Sequence, residues 1–293
     1  MNTVTVKSPA KLNLSLNIVS KLSNGYHEMD MLMQSVSLFE TAIISKSDKM
    51  SLECVDINNN IIDDLPCDEK NIAYKSAKLF FENINSNEKV KIKIIKATPM
   101  QAGMGGGSAD AAAVLVGLNH LYGNYTKQEL CNLGVKLGAD VPFAILGGTL
   151  RATGIGDVFE KVTPLPECYF VVGMPYSGVS TKNGFENFDK YGVTNPPNTN
   201  LMVKYLQENK LDEFCTLQHN VMQESCKTEH TDKICSILKE CGAKSALMTG
   251  SGSAVYGIFD NKSLAEQGLH NISKLVKSTY LLKPFNCGTY IVD

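Results

Sequence analysis

The chain has 293 residues, 43% hydrophobic and 20% charged, with a formal net charge of −2, a composition that fills about two ordinary cores and excludes wholesale disorder. A charge so near zero supplies no general positive field for nucleic acid or anionic lipid. Nine cysteines, odd in number and without paired Cys-x-x-Cys ligands, read as reduced and mostly buried thiols, and no stretch reaches the roughly 20 apolar residues of a membrane span.

Met1 to Val6 alternates like a strand and has neither a signal-peptide core nor an Arg-rich transit pattern, so a cytoplasmic protein is expected of a complete chain. Leu12, Leu14, Leu16 and Ile18 alternate with Asn13, Ser15 and Asn17, which predicts a half-buried strand with Lys11 and Asn13 on its polar face. Val90 to Ile94 predicts another strand, ending near Thr98-Pro99. A glycine cluster follows, and then a small-residue helix from Ala109 to Leu121. Thr126 and Glu129 form a capping-box pattern for a helix to about Leu137, stopping at Gly138. Asp140 stands just beyond and, ahead of Val141-Pro142, also has the position of a helix N-cap.

After Gly147-Gly148 the sequence predicts short strands and a turn-rich stretch from Asn183 to Asn200. Helices follow near 200–209, 212–225 and 231–241, then strands at 245–249 and 254–259, a helix near 262–277 and a last strand. Strands and helices without regular βαβ alternation predict an α+β chain, divided as 1–160 and 161–293.

Pro99-Met100-Gln101-Ala102-Gly103-Met104-Gly105-Gly106-Gly107-Ser108 places four glycines ahead of a helix. Bare backbone amides and the positive helix end suit a phosphate there, while a flexible turn is the other use of such a loop. A Walker A loop would need Lys-Ser/Thr after the last glycine, and a dinucleotide fingerprint would need glycine where Ser108 stands. Neither fits. The chain also has no His-Arg-Asp or Asp-Phe-Gly triplet of a protein kinase.

Pro99 to Ala112 resembles the second motif of the galactokinase, homoserine kinase, mevalonate kinase and phosphomevalonate kinase superfamily, with Met104 in place of the usual Leu. Pro9-Ala10-Lys11-Leu12-Asn13-Leu14 and Thr249-Gly250-Ser251-Gly252-Ser253 match its other motifs in order. The resemblance implies a two-domain fold, with an N-terminal domain like domain 2 of ribosomal protein S5 and a ferredoxin-like C-terminal domain. It implies ATP as co-substrate on residues 99 to 108 and Ala109, with Asn71 near the adenine, although Asn71 also suits a helix N-cap. Ser108 suits either a helix cap or a metal contact, and capping is the preferred expectation. Magnesium is expected without a visible protein cage, its ligands left open. Asp140, in Gly138-Ala-Asp-Val-Pro-Phe143, is implied to take the acceptor hydroxyl's proton beside Lys11.

Gly25-Tyr26-His27-Glu28, following the first motif, resembles the kinases of 4-diphosphocytidyl-2-C-methyl-D-erythritol, and that resemblance spans nearly the whole chain. It implies phosphorylation of the 2-hydroxyl of the methylerythritol unit. Tyr26, His27 and Phe185 are implied to hold the cytosine, with Asn13 near the methylerythritol end and Gly250 and Gly252 on the substrate side. An aromatic face for stacking and an imidazole for the base edge fit a cytidine ligand. A homoserine or mevalonate kinase would share the loop without needing this set, and a non-catalytic nucleotide sensor would not need Lys11 with Asp140. The implied partners are small molecules, with no nucleic acid, membrane or obligate protein partner.

Overall fold

The first strand organises both halves of the molecule. In the computed structural model, which describes residues 2–123, 125–176, 178, 181–192, 195–226 and 228–292, β1 (Thr3–Lys21) and β2 (His27–Ser47) form one long antiparallel hairpin with register shifts at Pro9/Ala10, Asn13/Ser15 and Ile18/Ser20. These bulges re-aim the backbone on either side of Lys11 and Asn13. The expected polar face of this strand is not solvated: Lys11 is 6% exposed, Asn13 1% and Ser15 0%. Both faces are covered, because the polar one lines a cleft.

The chain continues through β3 (Ser51–Asp56), α1 (Ile72–Asn83), β4 (Lys89–Lys96), α2 (Gly106–Tyr122), α3 (Lys127–Gly134), α4 (Asp140–Leu146), β5 (Thr149–Thr153) and β6 (Val158–Lys161). β3 joins β4 in parallel, β4 joins β2, and β5 pairs with β2 and β6. Thr126 and Glu129 make the expected capping box, but α3 ends at Gly134 rather than near Leu137. Val4, Val6, Ile44 and Ile92 pack under Phe80, Leu115 and Leu118 of α1 and α2.

The second layer contains β7 (Tyr169–Met174), α5 (Thr181–Tyr191), α6 (Thr199–Gln207), α7 (Leu211–Thr216), α8 (Val221–Ser225), α9 (Glu229–Glu240), β8 (Ser245–Met248), β9 (Val255–Phe259), α10 (Lys262–Ser273) and β10 (Ser278–Leu282). Its sheet runs β10-β7-β9-β8, antiparallel throughout, which is the ferredoxin-like order. Leu12 and Leu14 of β1 pack here against Phe170, Tyr256 and Leu247. Each leucine is fully buried and stabilises the fold by roughly 1.5–3 kcal/mol.

The expected turns between Asn183 and Asn200 are in large part helix, because Phe185 and Phe188 of α5 bury against Met222 and Met31. The expected helix at 212–225 is broken into α7 and α8, where Asn220 leaves the helical path to cap α8. The last strand, β11 (Tyr290–Val292), returns to the first sheet and pairs with β1. We therefore propose the division just after β6, one residue beyond the expected 160/161 because Lys161 still pairs with Leu150, with this returning segment assigned to the first unit.

Candidate active site

The glycine loop is held from both sides. Lys11 N donates to Met104 O at 2.9 Å, and on the other side Ser253 N and Ala254 N donate to Gln101 O and Ala102 O at 3.3 and 3.1 Å. Gly103 has φ +73°, and a Cβ there would overlap the Thr249 carbonyl oxygen and lie 3.0 Å from Gly252 O. At Gly105 a Cβ would lie 3.0 Å from Cγ of Lys11. The three motifs meet at these two glycines: at Gly103 backbone lies too close to backbone for any side chain, and at Gly105 the lysine stem fills the space.

Gly105, at φ 73°, occupies the N-cap position of α2, and no side chain caps that helix. Ser108 is thus already inside the helix rather than its cap, a correction that follows from the left-handed turn at Gly105 bringing Gly106 and Gly107 into the first turn. The first intrahelical bond runs from Ala109 N to Gly105 O at 2.9 Å. The amides of Gly106, Gly107 and Ser108 precede it and are free to meet an anion. Asn71 caps α1 through Ala73 N at 2.9 Å and donates to Pro66 O at 2.7 Å, while lining the same cleft as the loop.

Asp140 is the first residue of α4; Ala139 holds the cap position and no side chain caps the helix. The carboxylate turns instead toward β1, with Oδ2 3.4 Å from Lys11 Nζ. Lys11 also donates to Asn13 Oδ1. Asn13 is fixed in turn by Thr249, whose Oγ1 accepts from its amide at 2.9 Å, and by Tyr256, which donates to its carbonyl at 3.0 Å.

Two clefts open on either side of this junction. One, of about 540 Å³, is lined by residues 99 to 108 with Asn71 and Lys70. The other, of about 570 Å³, runs from Lys11, Asn13, Asp140 and Gly250 to Tyr26, His27 and Phe185. Gly103 and Gly105 line both. Gly252 lines neither and shapes the turn behind Gly103, its N–H donating to Thr249 O at 3.0 Å. Phe185 stacks on His27 with centroids 4.8 Å apart, while Tyr26 stands 62% exposed at the rim. Val179 and Ser180, which precede Phe185, lie outside the described residues.

Sequence reasoning missed the support beneath the loop. Glu40, fully buried, accepts from Ala97 N and Thr98 N at 3.0 and 3.1 Å and from Lys96 Nζ at 2.9 Å. Lys96 also reaches Asp110 at 2.6 Å. Burial pushes the Asp110 carboxyl up to about 8, an effect that Lys96 opposes and Glu40 reinforces. Burial works against the Lys96 ammonium, but Asp110 and Glu40 outweigh it and raise its pKa. A Cβ on Gly106 would lie 3.0 Å from Glu40 Oε1, so the loop rests directly on this network. Asn220 was missed too. Its Nδ2 donates to Met248 O and Gly250 O at 2.7 and 2.8 Å, which holds the third motif in place. A capping Asn in a polar break was the only signal available for it.

Residues 71–148 match the model of the GHMP kinases N terminal domain, and residues 202–278 that of the GHMP kinases C terminal. The 4-diphosphocytidyl-2-C-methyl-D-erythritol kinase of Alkaliphilus metalliredigens is 36% identical over 293 residues, 98% of each chain. That of Clostridium tetani is 37% identical over 282 residues, covering 95% of this chain and 99% of its own. A crystal structure of 4-(cytidine 5'-diphospho)-2C-methyl-D-erythritol kinase superposes with TM-score 0.80 at 26% identity, over 96% of this chain and 98% of that one. The homoserine kinase of Cytophaga hutchinsonii shares the fold with TM-score 0.79 at 17% identity, covering 100% of this chain and 98% of its own. The three motifs, their meeting at Gly103 and Gly105, and relatives that match from end to end give one assignment: the chain belongs to the 4-diphosphocytidyl-2-C-methyl-D-erythritol kinase family of the GHMP kinases.

Proposed function

We propose that the chain transfers the γ-phosphoryl group of ATP to the 2-hydroxyl of 4-diphosphocytidyl-2-C-methyl-D-erythritol, giving the 2-phosphate and ADP in non-mevalonate isoprenoid precursor biosynthesis. One observation carries this reading: two clefts of similar size share Gly103 and Gly105 as a common wall, with Lys11 and Asp140 on the acceptor side of it. A phosphate held on the loop amides then faces a hydroxyl lying beside Asp140.

An alcohol is a weak nucleophile at neutral pH, so Asp140 accepts its proton as the new bond forms and Lys11 offsets the negative charge on the oxygen. Asn13 positions the lysine. The loop amides hold the transferred group in line, which leaves little covalent work for the protein. Magnesium, bound with the nucleotide, supplies charge neutralisation on the phosphates. Such an ion keeps waters and takes most ligands from phosphate, and the hydroxyl of Ser108, beside the loop in the nucleotide cleft, is an oxygen donor that would fit it.

The cytidine end is formed by Tyr26, His27 and Phe185. The named activity of the full-length relatives supports this substrate over homoserine or mevalonate. Among the described residues no helix is long and apolar enough to cross a membrane, and a cytoplasmic enzyme acting on small molecules without an obligate protein partner is part of the same proposal. Coupled ADP production with the cytidine substrate, homoserine and mevalonate tests it. Turnover confined to the cytidine substrate is expected, and faster turnover of either rival overturns the assignment.

A further inference from the structure

The β1–β2 hairpin and helix α5 approach each other across the outer end of the acceptor cleft and are joined through one carboxylate. Lys21 and His27 are cross-strand partners at the mouth of the hairpin turn. Both contact Asp189 of α5: Oδ1 lies 2.7 Å from Nε2 of His27, and Lys21 Nζ donates to Oδ2. Phe185, one turn earlier on the same helical face, stacks on the imidazole with planes 20° apart, and Phe188 meets its edge at 6.2 Å. The ring is therefore fixed by one face, one edge and one nitrogen, and its side chain is only 9% exposed.

A carboxylate has no proton to give, so a neutral imidazole facing it carries its own proton on Nε2. The hydrogen bonds from His27 and Lys21 hold the Asp189 carboxyl below its ordinary value, which keeps it an acceptor. Nδ1 is left with a lone pair, and among the described residues no other hydrogen bond engages the ring. Cytosine presents an amino donor where uracil presents a carbonyl acceptor. A bare ring nitrogen accepts from the first and repels the second.

We propose that Asp189 is the positioning residue that sets base choice, by holding His27 in the tautomer whose Nδ1 accepts the exocyclic amino group of a cytosine. This rests on the cytidine-substrate reading above. Asp189, at the outer end of the acceptor cleft, acts through His27, while Lys21 keeps the carboxylate in place.

The test is calorimetric titration of the full-length protein with CMP, UMP and ATP, for wild type, Asp189→Asn and Asp189→Glu, together with the nitrogen chemical shifts of the His27 ring. An Asn amide can donate to Nε2 and so releases the tautomer with its proton on Nδ1. Asp189→Asn is expected to reduce the preference for CMP over UMP about tenfold, the scale of one hydrogen bond exchanged for a repulsion, with ATP affinity unchanged. The ring shifts should show the proton moving to Nδ1, and Asp189→Glu should retain both the preference and the tautomer, which keeps the test open if the Asn variant folds poorly. An unchanged CMP preference in folded Asp189→Asn overturns the proposal. So does an equal loss of CMP and UMP, which reduces Asp189 to a latch for α5. Wild-type protein that binds ATP but does not prefer CMP would overturn the cytidine reading itself, a failure distinct from that of Asp189.

Discussion

Lys11 Nζ lies 3.4 Å from Asp140 Oδ2, although the two residues arrive on β1 and α4 and one of them is buried while the other keeps 33% of its side chain exposed. The half-open carboxylate can reach an incoming hydroxyl, and the buried ammonium supplies a fixed positive charge beside it. Asp140→Asn should reduce kcat by roughly 10²–10⁴-fold, the usual contribution of a positioned acid or base, with little change in ATP or CMP affinity. Lys11→Met should cut kcat similarly and also lower the melting temperature, since the lysine stem packs against Gly105. Near-wild-type turnover by Asp140→Asn would remove it from the chemistry.

The loop glycines should separate into structural and ligand-facing positions. Gly103→Ala forces a side chain at φ +73° into the Thr249 carbonyl, and it should lower the melting temperature sharply along with activity. Gly107 has only Ile72 Cγ2 within 4 Å, at 3.8 Å, so Gly107→Ala should fold normally. Gly106→Val lies between these cases, because it presses on Glu40 and Thr98. It should weaken ATP more than the cytidine substrate in calorimetry. If folded Gly106→Val keeps its ATP affinity, the loop is not the phosphate cradle.

Asp110 should give the fold a pH signature. Its carboxyl is pushed from the ordinary 3.8 up to about 8, so the native state favours the protonated form. Its contribution is then fully present below the unfolded value and is lost as pH rises toward the folded one. Thermal melts from pH 5 to 9 should show wild-type stability falling across this window relative to Asp110→Asn, which cannot ionise. Parallel curves for the two proteins would contradict the assignment.

Asn220→Ala leaves the carbonyls of Met248 and Gly250 without their donor inside the protein. A loss of about 2 kcal/mol is expected from such unsatisfied groups, together with a raised KM for the acceptor as the turn at Gly250 loosens. Denaturant melts and steady-state kinetics on one preparation check both, and an unchanged KM would separate this turn from acceptor binding.

The glycine loop, the lysine strand and the acidic helix start were legible because each depends on local chemistry: missing side chains, period-two alternation and a short matched run. Helix α5 was not, since its Asn and Gly content favours turns locally and only the burial of Phe185 and Phe188 against distant methionines makes it helical. The Glu40, Lys96 and Asp110 network was equally hidden. Its members sit on two strands and a helix, and on any one of those elements a single charge reads as a solvated position. Ser108 was misassigned because glycine usually ends structure, whereas Gly105 in the left-handed region begins a helix here.

The return of the chain to the first sheet also governs how the two layers can move. The polypeptide passes between the layers twice, after Lys161 and again near Pro284, where Ser37 N donates to Lys283 O at 3.0 Å and Phe285 N to Ser35 O at 2.9 Å. A body tied at one point can swivel about any direction. Tied at two points on the same stretch of β2, around Gln34 and Val36, and packed along β1 through Leu12 and Leu14, it has far fewer directions open to it. An opening of the acceptor cleft at its outer end would part α5 from the hairpin, so the distance between His27 and Asp189 is a natural gauge of how far the cleft stands open.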